Sequence, residues 1–167
     1  MLRAAALATL LSLVSLQHAF ADGRSDWTGY AWQQIKVANC FAVGAVLHCP
    51  PYHQKWDWKR NQWVDIAIEL DLAKGELRLA QRLTNKDPRD TDWVCVTALA
   101  VDAGGNNVVA HHQNLEIRHG ETSDTTTRYR SRRLDTVTAL HIGSRQCRDG
   151  AGQDDARYAR VLAGIQP

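Results

Sequence analysis

Residues 63–72 read WVDIAIELDL and residues 76–84 read ELRLAQRLT, with Ala73-Lys74-Gly75 between them. In the first stretch Val64, Ile66, Ile68, Leu70 and Leu72 fall on one face, and Asp65, Glu69 and Asp71 fall on the other. In the second, Leu77, Leu79 and Leu83 alternate with Glu76, Arg78 and Arg82. Successive side chains of a strand point to opposite faces, so this period of two predicts two half-buried strands. Gly75 supplies the left-handed residue that a short turn needs, and the pair reads as a β-hairpin.

Working outward, the polar cluster NKDPRDTD over 85–92 is a turn. Residues 93–101, WVCVTALAV, are apolar on both faces, which predicts a central strand covered on both sides. A turn at 102–107, DAGGNN, leads to a return strand over Val108 to Ile117. His119-Gly120-Glu121 turns the chain again. Another strand then begins with Thr125, Thr127 and Tyr129, and a last strand spans Leu134 to Gly143, with Val137, Ala139 and Leu140 as core candidates. Residues 22–62 are less regular: two short strands, or a helix and a strand, with a strand over 41–48 favoured and ended by Pro50-Pro51. Six or seven strands at this spacing predict a mainly β, immunoglobulin-like antiparallel β-sandwich. A short C-terminal α-helix is expected over 153–163: Asp154 and Asp155 suit its N-terminus, Tyr158, Val161, Leu162 and Ile165 form an apolar stripe, and Gly164 can close it.

At the N-terminus, Arg3 precedes the uncharged apolar run AAALATLLSLVSL over 4–16, and Ala19-Phe20-Ala21 has the small-x-small pattern of a cleavage site. This is a secretory signal peptide over 1–21, too short to span a bilayer permanently. The remainder, 22–167, is the size of one domain, with an aromatic-rich segment over 22–62. A periplasmic or secreted location, without a stable membrane span, follows. The chain of 167 residues carries 20 basic and 18 acidic residues, and Arg3 leaves with the leader. A charge this close to balance gives no pull toward nucleic acid.

Export decides how Cys40, Cys49, Cys95 and Cys147 are read. Four cysteines in an oxidising compartment suggest two disulfides, with three possible pairings. Cys40–Cys49 and Cys95–Cys147 are favoured, one closing a local loop and the other joining strands distant in sequence. Thiolate metal ligation is the alternative, and no Cys-x-x-Cys pair supports it.

The pieces GELRLAQRLTN, WVCVTALAVDAGGNNVV and IRHGETSD, lying between Gly75 and Asp124, resemble the core of bacterial FxLYD-type immunoglobulin-like export domains. The matching features are turns: Leu83-Thr84-Asn85, Asp102 to Gly105, and His119-Gly120-Glu121. The Phe-x-Leu-Tyr-Asp signature itself is lacking. The resemblance implies an accessory or interaction module and no catalytic residue. A fold-level likeness carries function no further.

The residues offer three candidate surfaces. The segment 52–63, YHQKWDWKRNQW, places Trp56 and Trp58 on one face if extended, with Tyr52 nearby. Such rings anchor protein interfaces or stack on sugars, and equally cover the end of a sandwich. Arg128, Arg130 and Arg132 project together on a strand, where they could engage acidic groups or blunt an open edge. His48, His53 and His111 are the candidates for a metal site, although adjacent His111 and His112 point to opposite faces of a strand. No nucleophile elbow, zinc-protease helix or phosphate loop is present, so no enzyme activity and no cofactor is expected. The expected function is an exported accessory domain that binds another envelope or secreted protein. The alternatives are a glycan- or cell-wall-binding module, an inhibitor or immunity protein of a secreted hydrolase, and a metal-handling protein.

Overall fold

The computed structural model describes residues 27–57, 60–147 and 152–165. The expected signal peptide and Trp58 lie outside these described residues. Two antiparallel sheets form a sandwich with one C-terminal helix, as the alternating pattern requires.

The hairpin that decides the fold forms as expected: β5 (Gln62–Asp71) pairs with β6 (Glu76–Asn85) over ten residues. Val64, Ile66, Ile68, Leu70, Leu77, Leu79 and Leu83 all face the core. Full burial of each such side chain contributes roughly 1.5–3 kcal/mol. The outward positions line up across the strands as ion pairs, with Arg78 bonded to Glu69 at 2.9 Å and Arg82 to Asp124 at 2.8 Å. Asp124 belongs to β9 (Thr122–Arg130), which continues this sheet beyond β6 as its edge strand.

The second sheet contains β1 (Ala31–Lys36), β10 (Val137–Cys147), β7 (Asp92–Asp102) and β8 (Asn107–Ile117), in that spatial order. The two-sided apolar pattern of 93–101 is explained here. Val94, Val96, Ala98 and Ala100 face the inter-sheet core, while Leu99 and Val101 face outward under helix α1 (Gly152–Gly164). Tyr158 and Val161 of α1, with Ile165 just beyond its end, pack on Leu99, Val101, Ala110 and Ala139. Leu162, expected in the same stripe, lies at its border and stays 45% exposed. Asp154, read from the sequence as a helix-dipole acid, is fully buried. Its carboxylate accepts bonds from Arg145 (2.6 Å), Arg157 (2.7 Å) and the Tyr30 hydroxyl (3.1 Å).

The N-terminal part departs from expectation. The strand expected over 41–48 is two strands, β2 (Phe41–Val43) and β3 (Val46–His48), joined by a two-residue turn. Gly44 adopts φ of 60°, which permits that reversal, so the alternation of Val43, Ala45 and Leu47 never shares a face. Beyond Pro50-Pro51 the chain resumes as β4 (Tyr52–Asp57), alongside the same edge of β5 that β3 uses. With β1 and β4 added, the described residues hold ten strands rather than six or seven. The last strand also starts later than expected, because Leu134–Thr136 form a 3-10 turn.

Both favoured disulfides form. Cys40–Cys49 closes the base of the β2–β3 hairpin, and Cys95–Cys147 links the neighbouring strands β7 and β10. The described residues include no free cysteine. Oxidised pairs fit folding outside the reducing cytoplasm. No helix among the described residues is long and apolar enough to cross a membrane.

Candidate functional site

Tyr52 and Trp56 belong to the core and are corrected here as contact residues. Tyr52 is completely buried, and Trp56 is 6% exposed. The Tyr52 hydroxyl donates to the Ala31 carbonyl at 2.8 Å and lies 2.8 Å from Ser144 Oγ, tying β4 to β1 and β10. Burial raises its pKa, and the Ser144 bond opposes that shift. The two rings project inward from a strand whose other residues are polar, so composition alone made the segment look exposed. Trp63, at the end of the same segment, does lie on the outer face. His53 stacks on its ring, Lys55 sits 4.9 Å from its centre, and its Nε1 donates to Asn61.

The three candidate histidines are not brought together. His48 and His53 pair with Glu69 and Asp65 on the outer face of the six-stranded sheet. His111 points between the sheets, with its Nδ1 2.6 Å from the Tyr129 hydroxyl. His112 points the opposite way, against Thr97 and the Trp27 ring, as strand geometry requires. Burial lowers the His111 pKa to about 4, with a further contribution from His112. The described residues contain no cluster of three or more His, Cys, Asp or Glu side chains fit to hold a metal ion.

The arginine run divides. Arg128 and Arg130 project outward from β9, opposite Arg78 and Glu76 of β6. Their guanidinium groups share the Glu76 carboxylate at 3.5 and 3.7 Å. Arg132 does not extend this row. The chain leaves the sheet at Ser131, whose N–H donates to the Gly75 carbonyl, so Arg132 sits in the following turn.

Arg130 and Arg132 nevertheless meet at a groove of about 900 Å3 at one end of the sandwich. Lys74 joins them on its rim, and Leu72, Val108 and Ile165 supply apolar walls. Among the described residues the lining contains three cations and no carboxylate side chain or histidine. Lys74 is partly neutralised by Asp71, which it contacts at 2.7 Å; that pair raises the lysine pKa and lowers the aspartate's. Arg130 is 84% exposed and holds Glu76 only loosely, and Arg132 has no ion-pair partner among the described residues. Gly75 makes the groove's shape possible. Its φ is 61°, and a Cβ there would lie 2.7 Å from the Ser131 carbonyl oxygen. Sequence reasoning found the arginines but missed Lys74, Leu72 and Ile165, which only the β5–β6 turn and the end of α1 bring near them.

No family model matches the chain, and no curated protein matches it. Solved structures bear only a weak likeness, two of them as follows. One is a member of the DUF1425 family from Shewanella sp. pv-4, 12% identical, covering 66% of this chain and 97% of its own, with a TM-score of 0.38. The other is the enzymatically active domain of tailspike protein 4 from bacteriophage CBA120, 9% identical, covering 70% of this chain and 17% of its own, with a TM-score of 0.25. These matches do not show the FxLYD-type family, and the fold rests on the strand register itself.

Proposed function

We propose that this chain is a non-enzymatic exported accessory domain that binds another exported protein, and that the groove at the end of the sandwich is its contact. The observation that carries this reading is the lining: among the described residues it sets three cations beside an apolar wall. Arginine forks bond carboxylates in two places at once, which fixes orientation. Leu72, 40% exposed, offers apolar area to be desolvated on contact. An inhibitor or immunity protein is the same physical object with one dedicated target. Glycan binding loses support because Trp56 is buried.

The test is capture of partners from the native envelope, followed by reconstitution of the purified pair. Arg130→Glu/Arg132→Glu is expected to weaken that pair about ten-fold or more, and rising salt to weaken the wild-type complex. A partner that binds both forms equally, at all salt concentrations, overturns the reading.

A further inference from the structure

We infer that the partner enters as an extended acidic segment, which adds a strand to the open edge of β9 and seats its carboxylates in the groove. This rests on the groove being a contact surface.

The edges of the two sheets are not alike. Along β8, the Tyr158 hydroxyl of α1 bonds the Ala110 carbonyl. Along β1, the Tyr52 hydroxyl takes the Ala31 carbonyl. β2 is only three residues long. By contrast, β9 offers nine residues in unbroken register with β6. Among the described residues its backbone bonds to nothing beyond that ladder. Both ends are pinned: the Glu121 carbonyl accepts from the Asn85 N–H, and the Ser131 N–H donates to the Gly75 carbonyl. The edge is held at both ends and carries no register shift.

Exposed edges are ordinarily blunted by lysine, proline, bulges or inward charge. From Thr122 to Thr127 the only charged residue is Asp124, and Arg82 holds it in a two-bond fork. The inward residues Ser123, Thr125, Thr127 and Tyr129 are half-buried, whereas their partners Leu83, Gln81, Leu79 and Leu77 on β6 are buried. The flank between β9 and β8 is bridged at Tyr129, whose hydroxyl lies 2.6 Å from His111 Nδ1 on β8, and is half-exposed from Ser123 to Thr127. Strand addition uses backbone bonds for affinity and alternate side chains for specificity. Here the specificity lies at one end, where Arg130 leads into the groove beside Arg132 and Lys74. That charge selects carboxylates.

The experiment is fluorescence anisotropy on the protein with three labelled octapeptides. The first alternates valine and threonine and ends in two glutamates. The second ends in two lysines instead. The third is the first with every second backbone nitrogen methylated. The first is expected to bind at least ten-fold tighter than either control, and to lose about ten-fold against Arg130→Glu/Arg132→Glu, whose fold is checked by circular dichroism. Equal binding of the first and third peptides overturns strand addition, and equal binding of the first and second overturns selection of carboxylates. A sedimenting dimer that the first peptide does not dissociate assigns the edge to a second copy and also overturns the inference. If no peptide binds while the reconstituted partner still needs Arg130 and Arg132, strand addition fails and the groove reading survives. If that dependence is also missing, both fail.

Discussion

Gly75 is the residue on which the end of the sandwich turns. Its left-handed backbone closes the β5–β6 hairpin, and its carbonyl accepts the Ser131 N–H that ends β9. Gly75→Ala should cost about 1–3 kcal/mol, from a strained backbone and a Cβ driven into the Ser131 carbonyl; urea unfolding measures it. A variant as stable as wild type contradicts this geometry. His111 carries a pH prediction. Burial holds its folded pKa near 4, below the ordinary 6.5. The unfolded chain therefore binds a proton that the folded one refuses, and stability falls as pH drops from 6.5 toward 4. The loss from this residue is at most ~3 kcal/mol. Because carboxylates titrate in the same range, the readout is the difference between wild type and His111→Gln, whose urea midpoint should fall less between pH 7 and 4.5. Parallel slopes would contradict the assignment.

At the scale of elements, α1 is held by one buried carboxylate and three apolar side chains. Asp154→Ala leaves Arg145 and Arg157 facing each other without their shared anion. Both arginines reach solvent, so the loss should be about 2–3 kcal/mol rather than the full cost of breaking a buried pair. Hydrogen exchange should rise across 152–164 before the sheets open; exchange that rises uniformly would show α1 to be inseparable from the sandwich. The β2–β3 hairpin depends on its staple. Cys40→Ala/Cys49→Ala should cost about 2–3 kcal/mol, from the short loop that the disulfide closes. A wild-type urea midpoint would mean that the hairpin needs no staple. The β5–β6 hairpin could be read from the sequence because its alternation is long and its turn short. The reversal at Gly44 could not, since Val43, Ala45 and Leu47 keep their alternation whether or not the chain turns. The inward rings of Tyr52 and Trp56 were equally hidden, because Pro50-Pro51 resets the strand and the intervening residues are polar.

For the whole molecule, the two sheets differ in what covers them. The four-stranded sheet is packed on both sides, by the core and by α1, which the two-sided apolar run at 93–101 already implied. The six-stranded sheet exposes a face laced with cross-strand ion pairs, and its edge strand β9 runs into the cationic groove. Arg128 and Arg130 were legible in the sequence as a basic row. Their junction with Lys74 and Ile165 was not, because it is made by elements far apart in the chain. The most direct test is backbone amide shift mapping by NMR as the glutamate-ending peptide is titrated into the labelled protein. The account predicts shifts confined to 122–132, Leu72–Gly75, Val108 and Ile165. Shifts centred on the outer face of the four-stranded sheet, or none at saturating peptide, would contradict it.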